Sequence, residues 1–333
     1  MKYICSIMFI VFLIGCTSNK DTQREFAAYT IITDSIYTKM PGVLLKFEKY
    51  VVWQDPFGVD GFIHIIDTKT NEEVGVMGKI GQGPNEFNTP SLHRGKGNSI
   101  IVFDLNSQKQ GIFPIDSLRF DNGYYTSLYK TENHGVTQKI QLNDNSVISL
   151  LPDKPQPFVI ANKNTRKEFG VLPINEQISN GYNIFQGIIA YNENKKLLVY
   201  SSMNFFSLNI YKRRDENNFI LKNSVKSNID YRVVKSELIL DKDNQIGPAE
   251  MTLTKDYIVT IQRDYEKDKT EESSVGMNFE KLPKTVFLYD YHGNFIKIID
   301  VGIPLLRIAG DIHNNELYAI GLDGEFIMIK FSV

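Results

Sequence analysis

The sequence predicts an all-β fold in one large domain, and three features support this. The chain has 333 residues, of which 42% are hydrophobic, so it is long enough to bury a substantial core. Phenylalanine and tyrosine occur 21 and 17 times, and aromatic side chains favour strands. Short apolar runs alternate with Asp, Asn or Gly turns along the chain, which is the pattern of antiparallel hairpins.

Residues 78–90 mark the connection between two of these antiparallel units. The segment contains Gly78, Gly81 and Gly83 together with two prolines, so neither a helix nor a strand interior fits it. Apolar runs lie on both sides, at residues 62–66 and 100–103. We therefore expect a tight polar loop that connects one sheet to the next.

Six hairpin turns recur along the chain. They lie at Asp67, Asp104, Asn162, Asp215, Asp290 and Asp323. Their mean separation of about 50 residues is close to the period of propeller blades. The sequence thus predicts a six-bladed β-propeller over residues 27–333, with seven blades as the alternative.

The longest interval, between Asp215 and Asp290, could hold a seventh blade. We favour an insertion, because a polar and charged run, residues 263–274, lies within it. This run is interpreted as a solvated loop joining two strands of one blade, with a loop that docks a partner as the alternative.

A propeller leaves no long open sheet edge, so its two ends are expected to pair. The chain finishes in an apolar run, residues 326–331, and a strand-like stretch occupies residues 29–36. We expect these two stretches to lie side by side and to close the ring.

Residues 78–116 resemble an NHL-type propeller repeat. The matching residues are Gly81, Gly83, Pro84, Phe87 and Pro90, then the strand ending at Asp104, then Ile112 and Phe113. More widely, the chain is similar to the TolB-like six-bladed propeller lipoproteins of diderm bacteria. This resemblance implies a binding or scaffold role in the cell envelope and supplies no catalytic residues.

The first 16 residues resemble a lipoprotein signal peptide. Lys2 precedes about a dozen apolar residues, too few for the roughly 20 that span a bilayer, and residues 13–16 (Leu-Ile-Gly-Cys) resemble a lipobox. Cys16 is therefore predicted to carry acyl chains that anchor the protein to a membrane. The alternative is an ordinary signal peptide that meets a cysteine by chance.

Removal of the leader would also remove Cys5, so the mature chain would have no disulfide. Residues 17–26 are predicted to form a polar tether with nothing to pack. Thr17, rather than Asp, follows Cys16, and this resembles lipoproteins sent to the outer membrane. We expect an outer-membrane lipoprotein that faces the periplasm or the cell surface.

Three residues are candidates for ligand binding. His93 and Arg94 follow the glycine loop and could face the central channel, where a cation beside a histidine suits an anionic ligand. An exposed turn pair is the plainer interpretation of both. Trp53, the only tryptophan, is either a core aromatic or a platform on which a ligand stacks.

Motifs for catalysis or metal binding are weak. The five histidines have no zinc-ligand spacing, and no nucleophile elbow or phosphate loop is present. Residues 241–250 faintly resemble a calcium loop, but Ile246 replaces the turn glycine and Glu250 comes early. Convergence of Asp55, Asp60 and Asp104 on a channel metal would suit a lactonase-like propeller. No catalytic residue, metal or cofactor is predicted.

The two functional hypotheses are a binding module and an enzyme. A lipid-anchored propeller that binds a protein or glycan partner is favoured over a hydrolase or lyase using a channel metal, because no inward-facing set of carboxylates and histidines is marked. The formal net charge of -2 gives no electrostatic footprint for nucleic acid.

Overall fold

The computed structural model describes residues 22–34, 36–104, 106–107, 109–116, 127–130, 135–269 and 278–333. In this part of the chain, the strands form five four-stranded sheets, one five-stranded sheet and a separate two-stranded hairpin. The six larger sheets are the blades of a β-propeller, as the sequence predicts. The predicted leader, with Cys5 and Cys16, lies outside the described residues.

Blades 1 to 3 follow one another along the chain, each with its first strand innermost. Blade 1 contains β3 (Leu44–Lys46), β4 (Tyr50–Gln54), β5 (Ile63–Asp67) and β6 (Glu73–Met77). Blade 2 contains β7 (Pro90–Arg94), β8 (Ser99–Asp104), β9 (Lys109–Pro114) and β10 (Ser127–Lys130). Blade 3 contains β11 (Gln138–Gln141), β12 (Val147–Leu150), β13 (Phe158–Ala161) and β14 (Arg166–Phe169).

Blades 4 to 6 include the additions to the basic pattern. Blade 4 contains β15 (Gly187–Asn192), β16 (Leu197–Ser202), β17 (Ser207–Asp215) and β18 (Asn218–Lys226), and the hairpin β19 (Tyr231–Val234) and β20 (Glu237–Leu240) follows it. Blade 5 contains β21 (Glu250–Leu253), β22 (Tyr257–Gln262), β23 (Thr285–Asp290), β24 (Phe295–Asp300) and β1 (Arg24–Phe26). Blade 6 contains β25 (Leu305–Gly310), β26 (Glu316–Asp323), β27 (Glu325–Ser332) and β2 (Tyr29–Thr33).

Helical structure is minor within the described residues. A short α-helix, α1 (Gly181–Ile184), precedes blade 4, and a 3-10 turn covers Phe279–Lys281. None of the helices in the described ranges is long and apolar enough to cross a membrane.

The ring is closed by its two ends, which confirms the expected pairing. Strand β2 lies antiparallel to β27, with Tyr29 opposite Phe331 and Ile31 opposite Ile329. The side chain of Ile32 is 8% exposed and packs with Met328 in the gap between blades 6 and 1. The outermost strand of the last blade therefore comes from the start of the described chain.

Strand β1 corrects the predicted tether over residues 17–26. Arg24–Phe26 lie parallel to β24 and add a fifth strand to blade 5. The Arg24 guanidinium lies 2.6 Å from an Asp264 carboxylate oxygen, and Lys297 Nζ lies 2.6 Å from Glu25 Oε2. These charges give the polar segment partners, so the expected tether ends before Arg24.

The predicted hairpins occur once in each blade. Four of the turns join the third and fourth strands of a blade, whereas those at Asp104 and Asp323 join the second and third. This difference explains their uneven spacing. The long interval before Asp290 contains the β19–β20 hairpin and the loop between β22 and β23, so six blades are correct and the insertion is confirmed.

The glycine loop connects blade 1 to blade 2, as predicted. Gly78 has φ +76°, and a Cβ there would lie 2.5 Å from the ring of Phe62, so the position requires glycine. Phe87 is fully buried, with its ring centroid 5.8 Å from that of Phe62 and 5.9 Å from that of Phe113. The loop thus places the aromatic ring of Phe87 in the core between the two blades.

Core packing holds the blades to one another. Clusters of buried apolar side chains fill the gaps between blades 1 and 2, 3 and 4, 4 and 5, 5 and 6, and 6 and 1. A further cluster joins Phe185, Phe205 and Leu238 beneath the β19–β20 hairpin. Because each gap is shared by two sheets, loss of one blade would expose the face of the next.

Ring closure can be tested with two adjacent isoleucines on β2. Ile32 is 8% exposed and Ile31 is 48% exposed. We expect Ile32→Ala to lower the free energy of unfolding by about 2 kcal/mol or more, and Ile31→Ala to change it by less than about 0.5 kcal/mol. Urea unfolding followed by tryptophan fluorescence measures both. Equal losses for the two variants would contradict closure through the buried face of β2.

Candidate functional site

The central channel is the candidate site. It is bordered by the innermost strands β3, β7, β11, β15, β21 and β25, each of which has one edge without a strand partner in its sheet. The cavity among them measures about 340 Å³. Its lining is mainly aliphatic, and charged side chains occur at both ends of the strands. Unpaired strand edges and a few charges give it the composition of a ligand-binding cavity.

Arg94 lies at the end of β7, where the chain leaves the channel wall. Its Nη1 donates a hydrogen bond of 2.8 Å to the carbonyl oxygen of Lys46, and the guanidinium lies 5.0 Å from the ring centroid of Phe47. The side chain is exposed to the channel, yet the surrounding protein desolvates it and lowers its pKa. Arg94 therefore remains a cation that protein surrounds but water still reaches.

His93 precedes Arg94 on the same strand. Its Nε2 lies 3.1 Å from Ser91 Oγ, and its ring meets that of Phe103 edge to face, with 5.2 Å between centroids. Burial lowers the pKa of His93 to about 4. The imidazole is thus neutral near pH 7 and offers the channel a polar group rather than a charge.

Lys139 on β11 approaches the same aromatic ring from blade 3. Its Nζ lies 4.4 Å from the ring centroid of Phe103, and burial lowers its pKa to about 8. His93 also hydrogen-bonds to the backbone of Lys139, so the imidazole, the ring of Phe103 and Lys139 meet in the gap between blades 2 and 3. No motif in the sequence marks Lys139, although it is the second residue of an innermost strand.

Lys46, at the end of β3, is the most enclosed of these cations. Its Nζ donates a 3.1 Å hydrogen bond to the carbonyl oxygen of Glu48 and also contacts that of Phe47, and it lies 3.7 Å from Asp311 Oδ2. Burial lowers the pKa of Lys46, and the nearby Asp311 carboxylate opposes this shift. Its charge is therefore compensated within the fold.

Glu250 and Arg307 form an ion pair between β21 and β25. Arg307 Nη1 lies 3.0 Å from Glu250 Oε1, and Arg307 Nε donates a 2.7 Å hydrogen bond to the carbonyl oxygen of Gly42. Burial raises the pKa of Glu250 to about 7, although Arg307 pulls it down. No local sequence pattern marks this pair, because the partners belong to different blades.

The calcium interpretation of residues 241–250 is not supported by this arrangement. Asp241 Oδ1 accepts a 3.0 Å hydrogen bond from the backbone N–H of Asp243, as in an ordinary turn. Glu250, which would have completed the ligand set, belongs instead to the channel wall.

Trp53 is part of the core rather than a ligand platform. Its side chain is 4% exposed and packs between blades 6 and 1. The indole stacks on His64, with 4.2 Å between ring centroids and 17° between planes, and His64 Nδ1 lies 2.8 Å from Glu73 Oε2. No open face of the indole remains for a ligand.

None of the three aspartates considered for a channel metal lines the channel cavity. Asp55 accepts hydrogen bonds from Thr38 Oγ1 and from the backbone N–H of Phe57, and Asp60 is exposed. Burial alone would raise the pKa of Asp104, but hydrogen bonds from backbone N–H groups, including that of Asn88, lower it overall. Within the described ranges, no three His, Cys, Asp or Glu side chains are grouped to hold a metal ion.

The polar run after β22 joins two strands of blade 5, as expected, but its first residues are not solvated. Arg263 and Asp264 are buried, and Arg263 Nη1 lies 2.6 Å from Asp268 Oδ2. Asp264 holds Arg24. Residues 270–277 of this run lie outside the described part.

Comparison with solved structures finds propellers of low sequence identity. A protein predicted to be exported, from Bacteroides fragilis, has a TM-score of 0.54 and 11% identity, covering 93% of this chain and 98% of that chain. A calcium-binding protein, regucalcin, from Agrobacterium tumefaciens has a TM-score of 0.52 and 9% identity, with 93% and 95% covered. The structure of U3-55K has a TM-score of 0.51 and 10% identity, with 93% and 99% covered.

The chain is a six-bladed β-propeller. At such identities the likeness shows the fold alone, and the propeller part of the predicted resemblance is confirmed. No family model matches the chain, and no curated protein matches it.

Burial of Glu250 makes a pH-dependent contribution to stability, which comes from the protonated carboxyl. Since the pKa of Glu250 is raised from 4.5 to about 7, the folded protein holds this proton more tightly than the unfolded chain. The contribution is complete below about pH 4.5 and is lost as the pH rises through about 7. Relative to Glu250→Gln, the wild type should lose about 1–3 kcal/mol of unfolding free energy across that window.

Urea unfolding at a series of pH values measures this difference. Glu325→Gln, at an exposed carboxylate, is the control for the substitution itself. If wild type and Glu250→Gln followed the same pH profile, the assignment of this proton to the channel pair would be wrong.

Proposed function

We propose that the protein is a lipid-anchored propeller of the cell envelope that works as a binding module for a protein or glycan. The observation that carries the proposal is the central channel, which is open to water, lined by aliphatic side chains and edged by cations. This composition suits recognition of a ligand through shape and a few charges.

The alternative, a lactonase-like hydrolase or lyase with a channel metal, has less support. A propeller enzyme of that kind needs several carboxylates or histidines directed at one point. In this channel the one carboxylate on an innermost strand is paired with Arg307, and His93 is held neutral against Phe103. These groups are committed to contacts within the channel wall.

The location in the envelope rests on the N-terminal sequence. The apolar stretch and the lipobox-like residues before Cys16 support anchoring, and Thr17 supports delivery to an outer membrane. The likeness to a protein predicted to be exported agrees with this proposal. In the structure, the chain reaches the propeller at β1, beside blade 5, so the anchor would attach at the side of the ring.

Anchoring can be tested with the two cysteines of the chain. We expect Cys16→Ala to lose incorporation of radiolabelled palmitate, because no acceptor for acyl chains remains. Cys5→Ala is the matched control and should be labelled as the wild type is, since Cys5 lies within the predicted leader. Both variants are expressed in a diderm bacterium, immunoprecipitated and followed by autoradiography. A palmitate-labelled Cys16→Ala protein would exclude Cys16 as the acylated residue.

Metal content separates the binding proposal from its alternative. The purified chain beginning at residue 17 should contain calcium and zinc far below one ion per molecule, as measured by plasma mass spectrometry after dialysis. One tightly held ion per molecule would support the enzyme instead.

A further inference from the structure

The mouth of the channel where the innermost strands end carries more positive than negative charge, because Lys46 and Arg94 share the single carboxylate of Asp311. Lys46 faces Asp311, and Glu250 faces Arg307, so these four groups form two compensated pairs. Arg94 makes no ion pair with any residue in the described part of the chain. The whole chain has a formal net charge of -2, so this local excess is a property of the channel.

The guanidinium of Arg94 is held ready for a planar anion. One nitrogen is fixed by the carbonyl oxygen of Lys46 at 2.8 Å, and one face rests on Phe47. The remaining N–H donors have no hydrogen bond to any described residue, and the side chain is exposed to the channel. A guanidinium with a free edge forms two parallel hydrogen bonds with a carboxylate.

The rest of the cavity limits the size and kind of ligand. Its volume of about 340 Å³ admits a group the size of one sugar rather than an extended peptide. Ser91, Thr137 and Gln138 line it, and Thr137 Oγ1 is buried with no hydrogen-bond partner among the residues that the structure describes. Together with the open strand edges, these groups can pair with several hydroxyls at once.

From this arrangement we infer that the channel binds a sugar acid, whose carboxylate is held by Arg94 and whose hydroxyls meet the polar lining. The inference rests on the proposed binding function and chooses a glycan as the partner. A singly charged carboxylate would balance the positive charge that remains when Lys46 and Arg94 share Asp311. Arg94 is thus the anchoring residue, and Phe47 and the carbonyl oxygen of Lys46 position it.

Calorimetry with galacturonate and galactose tests this directly, because the two sugars differ in the carboxylate. The full chain in detergent should bind galacturonate at least tenfold more tightly than galactose at low salt. Arg94→Ala should weaken galacturonate binding at least tenfold, and Arg94→Lys should be intermediate because it keeps the charge but loses the fork. Arg214→Ala, which removes an exposed arginine outside the channel, should bind as the wild type does.

Thermal unfolding of each variant shows that the fold is intact, and Arg94→Lys retains the test if Arg94→Ala does not fold. Equal binding of the two sugars, no binding of either at millimolar concentration, or unchanged binding by Arg94→Ala would overturn the inference. Tighter binding of glucose 6-phosphate or of a short acidic peptide would overturn the choice of a sugar carboxylate. None of these results changes the outcome expected for the Cys16 experiment. A failure of this inference can therefore be told apart from a failure of the proposed envelope role.

A last comparison identifies the source of the sugar acid. Tighter binding of oligogalacturonate than of galacturonate would support the end of a glycan chain as the natural ligand. Equal affinity would support the free sugar acid, with the same contact to Arg94.

Discussion

Pairing of β2 with β27 is the constraint on which the rest of the molecule depends. Every blade packs against two neighbours, so a ring that is open at one point exposes two sheet faces and one sheet edge. The only cysteines are Cys5 and Cys16, so no disulfide can join the two ends across blade 6. Backbone hydrogen bonds along β2 and burial of Ile32 provide that connection. The channel exists because this closure fixes six innermost strands around one axis.

The same geometry explains why the ionisable groups of the channel behave unusually. Side chains on an innermost strand are surrounded by protein although water reaches them. Desolvation therefore lowers the pKa values of His93 and Lys139 and raises that of Glu250. Glu250 and Lys46 are balanced by opposite charges from another blade. Arg94 differs, because its nearest partner is a carbonyl oxygen and it stays open to solvent.

Much of the fold could be predicted from the sequence because it depends on local patterns. Asp and Gly turns between apolar runs marked a hairpin in every blade, and the glycine loop at Gly78 marked a passage between blades. The closing strand followed from the physical need to remove an open edge. Blade boundaries were harder, since Asp104 and Asp323 precede a different strand of their blades than the other turns do.

The site was less predictable because its contacts cross between blades. Arg94 and His93 were identified from their place after the glycine loop, but their neighbours lie elsewhere in the chain: Phe47 is in the turn after β3, and Phe103 is on β8. Glu250 and Arg307 lie 57 residues apart, and no local pattern links them. Trp53 was ambiguous, because a lone aromatic on a strand does not reveal which face is covered. Lys139 lies on the first strand of blade 3, so assigning the first strand of each blade from the sequence would have placed it beside the channel.

Strand β1 shows how a polar segment can join the fold without adding much stability. Solvent-screened ion pairs at the surface, such as Lys297 with Glu25, contribute little to stability. Backbone hydrogen bonds from Ile298 N–H to Gln23 and from Ala27 N–H to Asp300 add to the β1–β24 ladder that holds the strand to blade 5. Arg24 connects it to Asp264, at the start of the loop between β22 and β23. These contacts set the position of β1 but add little to the free energy of unfolding. Strand β1 therefore determines where the N-terminal segment leaves the ring, while β2 determines whether the ring is closed.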